Sequence, residues 1–218
     1  MFRKTFIILI LSFFLTEIFI IKNSAANDNK LYEKHQSDLV EIEKYFNNIH
    51  YLYSEFIQKS PKNTIDPSQN YGEIKGELLL SRPGKLKVEY YDPNPIKIVV
   101  NGSVLEYTDK ELEETSYLST NSTPASFLTR KNFSFKAQDL EIIDFQKNQA
   151  FIKVAIAKKN KKDAGTFSLI FETNPLKFSK MEVVNDLGEI TQVSLTNPVF
   201  GKKIDDNLFT IKSKNLPQ

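Results

Sequence analysis

The side chains that follow residue 30 show the hydrophobic period of an α-helix. Apolar or ring-bearing residues recur at steps of three and four, which places them on one face of a helix of about five turns. The members of this face are Leu31, His35, Leu39, Ile42, Phe46 and Ile49. No second stretch of similar length has this period, so we expect the helix to pack against a sheet rather than in a helical bundle.

From residue 51 onward the pattern changes to the alternation of β-strands, separated by short turns. The predicted strands cover residues 51–59, 71–81, 86–91, 96–100, 104–108, 113–118, 140–145, 151–157, 166–172, 177–184 and 189–195. Asn101-Gly102, between two of them, is a strong hairpin signal. Strands at this regular spacing predict a mainly β (α+β) fold, an antiparallel meander that curls towards a single incomplete barrel.

Residues 122–128 interrupt the strands with a short helical pattern. Ser122 and Thr123 offer hydroxyl groups for a cap, and Pro124 suits the first helical position. A helix this short is unstable alone. We therefore expect it to lie across the concave face of the sheet, with Phe127 and Leu128 against the strands.

The strand alternation collects large apolar side chains on one face of the sheet. The candidates are Phe56, Ile74, Leu78, Leu80, Leu86, Val88, Tyr90, Ile98, Val100, Phe167, Leu169 and Phe171. One long helix is too little to cover such a face. Two interpretations stay open, a fully packed half-barrel core or a cavity for an apolar ligand.

Arg82 continues this apolar face, directly after Leu78 and Leu80. A buried guanidinium is costly unless acceptors meet its donors. Arg82 therefore either finds acceptors inside the protein or extends to solvent at the rim of the sheet.

The first 26 residues have the pattern of a secretory signal peptide. Arg3 and Lys4 precede a mostly apolar run, and residues 24–26 are the small residues of a cleavage site before Asn27. Glu17 and the length of the run leave an uncleaved anchor as the alternative. We expect the remaining residues, 27–218, to form one domain that is exported to the periplasm.

Composition removes several function classes. The chain has 29 basic and 27 acidic residues, and the signal peptide holds three of the basic and one of the acidic residues. The remaining residues are therefore balanced in charge and offer no basic field for nucleic acid.

The residues that carry most enzyme chemistry are scarce. There is no cysteine, His35 and His50 are the only histidines, and no nucleophile-elbow, zinc-protease or phosphate-loop motif is present. We therefore expect no catalytic residues, no metal site and no cofactor.

A set of short motifs lies between about residues 31 and 130. They are Phe56-Ile57-Gln58, Gly76-x-Leu78, Arg82-Pro83-Gly84-Lys85-Leu86, Glu89-Tyr90, Pro93, Val100-Asn101-Gly102, Leu105-x-Tyr107 and Thr123-Pro124. In their order and spacing these motifs resemble the LolA family of periplasmic lipoprotein carriers. Beyond them, the strand rhythm and the closing segment 205–211 agree with the family. Val88 and Glu106 depart from it, because they stand where members often have tryptophan.

The resemblance implies an incomplete antiparallel barrel whose mouth is closed by a lid of helices over a hydrophobic cavity. Arg82 would act as the lid latch by reaching backbone carbonyls of the lid. The residues implied to bind acyl chains are Phe56, Ile74, Leu78, Leu80, Leu86, Val88, Tyr90, Ile98, Val100, Phe127 and Leu128.

The resemblance also implies the partners of a monomeric carrier that uses no nucleotide. They are acylated lipoproteins, an inner-membrane ABC-type transporter that loads the carrier, and an outer-membrane acceptor. Two alternatives remain: a lipid- or lipoprotein-sensing binding module of related fold, and a lipid hydrolase built from a serine and one of the two histidines.

Overall fold

The computed structural model describes residues 25–60, 73–91, 93, 95–159, 165–185 and 187–211. Apart from its last two residues, the predicted signal peptide lies outside the described residues. Within the described part of the chain, none of the helices has the length and apolar character that a membrane span requires.

The predicted long helix is present as two consecutive helices. They are α1 (Ala25–Lys34) and α2 (Gln36–Asn47), separated at His35. The N–H of Leu39 still donates to the carbonyl of His35, at 3.0 Å, so the break is slight. Leu39, Ile42 and Phe46 are fully buried, which confirms the apolar face. A third, short helix, α3 (Ala125–Leu128), follows a turn of 3-10 helix at Thr120–Ser122.

Eleven strands are present among the described residues. They are β1 (Tyr51–Lys59), β2 (Ile74–Ser81), β3 (Lys85–Tyr90), β4 (Ile96–Asn101), β5 (Val104–Asp109), β6 (Glu114–Ser119), β7 (Leu140–Lys147), β8 (Phe151–Lys158), β9 (Thr166–Thr173), β10 (Leu176–Val184) and β11 (Ile190–Phe200). They form one antiparallel sheet in the order β6-β5-β4-β3-β2-β1-β11-β10-β9-β8-β7, and the sheet is not closed. The predicted mainly β fold on an unclosed antiparallel sheet is confirmed.

The chain divides into two compact units. The first comprises Met1–Lys44 and Ser134–Ile190, and its described part holds α1, most of α2 and β7 to β10. Its core includes Phe171 and Phe178, whose rings lie 5.5 Å apart. The ring of His35 stacks on that of Phe145 at 4.0 Å, so the break between α1 and α2 packs against β7.

The second unit comprises Tyr45–Phe133 and Thr191–Gln218. It contains β1 to β6, α3 and nearly all of β11. Strand register gives the sheet of this unit an apolar face, because Leu80 pairs with Leu86 and Leu86 with Val100. The strand members of this apolar face include Leu52, Phe56, Leu78, Leu80, Leu86, Val88, Tyr90, Ile98, Val100, Leu105 and Tyr107.

The opposite face of the same strands carries a second, smaller core. Leu79 and Val99 point away from the apolar face and pack with Ile204 and Phe209. Ile204 and Phe209 follow β11, in a segment that includes a 3-10 turn at Asp206–Phe209. Strand alternation alone would leave this face polar, and the covering segment is what makes the two buried apolar residues favourable here.

Candidate functional site

The predicted acyl-binding residues all lie in the second unit. Nine of the eleven are buried, and Ile74 and Val88 are half-buried. The nine strand residues share the apolar face by register. Phe167, Leu169 and Phe171, which the alternation also selects, are buried on β9 of the first unit. The candidate site is therefore built from the second unit.

Gly76 shapes the middle of the apolar face. It pairs with Phe56 on one side and Tyr90 on the other, and the Phe56 ring meets the Tyr90 ring edge-on at 5.2 Å. A Cβ atom at position 76 would lie 2.5 Å from Cζ of Phe56 and overlap the carbonyl oxygen of Glu89. The motif residue is thus a glycine because an aromatic ring occupies the space that a side chain would need.

Arg82 stands at the end of the apolar face and binds two helical segments. Its Nε donates to the carbonyl of Leu128 in α3 at 2.7 Å. Its Nη1 donates to the carbonyl of Phe46 in α2 at 2.8 Å, and its guanidinium lies 4.0 Å above the Phe46 ring. The residue is 8% exposed, so its guanidinium does not extend to solvent at a rim.

The hydrogen bonds of Arg82 stabilise the closed form, but nearby buried groups without partners offset part of this free energy. Burial lowers the pKa of its guanidinium to about 10, so it stays charged near neutral pH. Each charge-assisted bond contributes roughly 1.5–3 kcal/mol. Among the described residues, Nη2 of Arg82 and the hydroxyl of Ser126 in α3 have no hydrogen-bond partner, and each buried unsatisfied group costs about 1–3 kcal/mol.

Further hydrogen bonds fasten α3 and the loop after it. The N–H of Gly84 donates to the carbonyl of Thr129 at 2.8 Å. The side-chain amide of Asn47 makes two hydrogen bonds with the backbone of Phe133. It donates to the carbonyl at 2.9 Å and accepts from the N–H at 2.8 Å. The β2–β3 turn and the end of α2 therefore both hold this short helical region.

The predicted hydroxyl cap of α3 is wrong. Pro124 occupies the cap position and makes no side-chain hydrogen bond. The hydroxyl of Ser122 donates to the carbonyl of Ser119, and that of Thr123 to the carbonyl of Thr120. Both hydroxyls close the preceding 3-10 turn, because serine and threonine side chains readily donate to a backbone carbonyl three residues back.

The apolar face carries two tyrosine hydroxyls, those of Tyr90 on β3 and Tyr107 on β5. The Tyr90 hydroxyl donates to Oε1 of Gln58 at 2.9 Å. The Tyr107 hydroxyl is buried and has no hydrogen-bond partner among the described residues. Burial, with a smaller effect of Asp109, raises the pKa of Tyr107 to about 12, so it remains an O–H donor. The sequence analysis noted Tyr107 only as a motif residue. Tyr107 is two residues from Leu105 on the same strand, however, so strand alternation already assigns it to this face.

The remaining candidates lie away from the apolar face. Glu106 is on the opposite face, where it accepts a hydrogen bond from the Tyr117 hydroxyl at 3.4 Å, so its departure from the family does not alter the site. Nδ1 of His50 lies 3.0 Å from the carbonyl of Asn48. Within the described ranges, neither histidine is hydrogen-bonded to a serine, and no cluster of three His, Asp or Glu residues is arranged for a metal ion.

Comparisons with known proteins cover most of the chain. The family model described as "Outer membrane lipoprotein carrier protein LolA" matches residues 47–212. An uncharacterized protein of Rickettsia prowazekii (strain Madrid E) is 23% identical over 189 residues, which are 86% of this chain and 82% of the relative. An outer-membrane lipoprotein carrier protein of Methylococcus capsulatus is 24% identical over 177 residues, 77% of this chain and 80% of the relative.

Among solved structures, the fold is similar to a LolA superfamily protein from Nitrosomonas europaea. The TM-score is 0.46 at 10% identity, with 79% of this chain and 97% of that chain covered. The family match at residues 47–212 includes every residue that the sequence assigned to acyl binding, and Arg82 as well.

Proposed function

We propose, starting from the fact that this chain belongs to the LolA family of outer-membrane lipoprotein carrier proteins, that it is a periplasmic chaperone for lipoproteins. It binds their acyl chains and moves them from the inner to the outer membrane. The observation that carries the proposal is an apolar sheet face with one buried arginine at its end, bonded to backbone carbonyls of two helical segments.

The apolar face supplies what an acyl chain needs. Each CH₂ group removed from water contributes about 0.8 kcal/mol, so a chain in transit must be enclosed by the protein that carries it. Half-buried Val88 and Ile74 mark where the face is less completely covered than at Leu80 or Val100. In this proposal the chains lie against these residues once α3 has moved.

Arg82 sets how firmly the empty form stays closed. Its bonds to Leu128 and Phe46 exist only while both helical segments are in place. Cargo that displaces α3 breaks the bond to Leu128, and this loss offsets part of the binding free energy and keeps the affinity moderate. Moderate affinity lets the cargo leave without nucleotide hydrolysis at the carrier.

The proposed route follows from the export signal and the family. The protein reaches the periplasm through its signal peptide at residues 1–26. There it is loaded by an inner-membrane ABC-type transporter and unloaded by an outer-membrane acceptor. It acts as a monomer, without catalysis and without nucleic acid.

The test of this function is release of lipoproteins from spheroplasts. Adding the purified protein should move acylated lipoproteins into the medium, and mass spectrometry of the protein isolated from the periplasm should find a triacylated polypeptide bound to it. If no lipoprotein is released and only a non-acylated protein partner is bound, the sensing-module alternative replaces the carrier.

A charge placed on the apolar face should abolish binding. Leu78 and Leu80 are too buried for this test, because a carboxylate there would threaten folding. Val88 is half-buried and pairs with Leu78 and Ile98. We expect the wild type to bind a fluorescent apolar probe saturably at about one per chain, and Val88→Glu to bind it at least about tenfold more weakly, which is about 1.4 kcal/mol.

Thr108→Glu is the matched control for this variant. Thr108 is also a half-buried β-branched residue of the same sheet, on β5, but it lies on the opposite face. It should bind the probe like the wild type, with an unchanged far-UV circular dichroism spectrum. Equal loss in both variants, or normal binding by Val88→Glu, would rule out the apolar face as the binding surface.

Loading should loosen α3. The N–H of Thr129 bonds the carbonyl of Ala125, and that of Gly84 bonds the carbonyl of Thr129. If α3 swings away with cargo, hydrogen exchange at both amides should rise several-fold, because lid segments open locally. The amide of Val154 in β8, which is fully buried, serves as the internal reference. Unchanged protection at Thr129 and Gly84 would make α3 an ordinary connecting helix.

A further inference from the structure

The Tyr107 hydroxyl is the polar group on the apolar face that the carrier function leaves unexplained. The residue is 8% exposed, and no acceptor among the described residues is within hydrogen-bond reach of its hydroxyl. Ser116, directly opposite on β6, is exposed and does not bond it. Phenylalanine would fill the same space without leaving a buried donor unsatisfied, a cost that native structures seldom carry.

The neighbours of Tyr107 define what kind of acceptor suits it. The phenol is protonated throughout the physiological range, so it acts as a donor and needs an oxygen lone pair. Asp109, on the same face by register, is near enough to affect its ionisation. A carboxylate at that distance repels an anionic ligand group, so a neutral acceptor is favoured. Tyr90, the other phenol of this region, already donates to Gln58.

The register shows where a ligand bound to Tyr107 would lie. Tyr107 pairs with Ile98, Ile98 with Val88 and Val88 with Leu78. This row crosses four adjacent strands, roughly 14 Å at about 4.8 Å per strand. It is apolar beyond Tyr107, and it contains the half-buried Val88. A neutral polar group followed by a hydrocarbon chain matches this row.

We propose that the Tyr107 hydroxyl donates a hydrogen bond to an ester or amide carbonyl of the bound acyl group. This deepens, and rests on, the proposed carrier function. The residue makes the site selective for acyl esters and amides over hydrocarbon chains that lack a carbonyl and over fatty-acid anions. The acyl groups of a lipoprotein are held by ester and amide bonds, so this preference suits its cargo.

The test compares two glycerolipids that differ only in the carbonyl. Dipalmitoyl glycerol and its dihexadecyl ether analogue displace a fluorescent apolar probe from the full chain. We expect the wild type to bind the diester about five- to tenfold more tightly than the diether, as one buried hydrogen bond would give. Tyr107→Phe should bind the two equally and the diether as well as the wild type does. Palmitate anion should compete less well than the diester.

Tyr117→Phe is the matched control, because the Tyr117 hydroxyl lies on the opposite face and donates to Glu106. It should keep the full ester preference. A wild type without ester preference, or a Tyr107→Phe variant that retains it, overturns the inference. A wild type that binds neither lipid overturns the carrier function itself, so the two failures are distinguishable.

A second measurement needs no variant. The infrared stretch of a ¹³C-labelled ester carbonyl should move to lower frequency in the wild-type complex than in a hydrocarbon solvent, because the carbonyl accepts a hydrogen bond. A bound ester whose stretch matches the hydrocarbon value overturns the assignment of Tyr107.

The folding of Tyr107→Phe is checked by thermal unfolding. Removal of an unpartnered buried hydroxyl should leave the stability equal or higher.

Discussion

Arg82→Leu should fold and accept lipoprotein at least as well as the wild type, yet deliver it to the outer membrane about tenfold or more slowly. The substitution removes the bonds to the carbonyls of Leu128 and Phe46 and the contact with the Phe46 ring. It also adds apolar surface for bound acyl chains. Both changes shift the population towards the loaded form, and a tenfold shift corresponds to about 1.4 kcal/mol.

The measurement is an assay that scores release from the inner membrane and delivery to the outer membrane separately. Arg82→Lys is the companion variant, because a single ammonium cannot reproduce the planar fork that reaches two carbonyls. We expect it to deliver at an intermediate rate. Equal loss in both steps for Arg82→Leu would indicate misfolding, and normal behaviour in both would show that Arg82 is not a latch.

Gly76→Ala should lower the free energy of unfolding by about 3 kcal/mol, the upper part of the range for over-packing. The added methyl group would overlap the carbonyl of Glu89 and press on the Phe56 ring. Neither neighbour moves easily, because β1, β2 and β3 are paired on both sides of position 76. In thermal unfolding the midpoint should fall by roughly 6–12 °C.

Gly102→Ala separates this steric effect from the backbone effect of losing a glycine. Gly102 has φ +63, and a Cβ there would meet nothing within 4 Å. Its cost should be about 1 kcal/mol, from the left-handed conformation alone.

Adding Phe56→Leu to Gly76→Ala should recover part of the lost stability, because it removes the ring that the methyl group meets. The recovery should be incomplete, because the clash with the Glu89 carbonyl remains. A Gly76→Ala variant as stable as Gly102→Ala would refute this account of the packing.

The sequence by itself determined the strands, the helical face and the side of the sheet on which each candidate lies. Leu78, Leu80 and Arg82 share a face because strand side chains alternate, a property of the local backbone that needs no partner. The apolar face of the helical segment follows in the same way from its 3.6-residue period. For the same reason the sequence predicts that Tyr107 lies on the apolar face. It does not predict that the Tyr107 hydroxyl lacks a hydrogen-bond partner among the described residues.

Only the tertiary structure decided what these faces meet. The carbonyls that Arg82 binds are 46 and 36 residues away in sequence, and a backbone carbonyl has no residue-type signature. The same holds for Leu79 and Val99, which break the alternation and are buried by Ile204 and Phe209. Hydrogen-bond partners and covering segments depend on which distant atoms the fold brings together, and a local pattern does not contain that information.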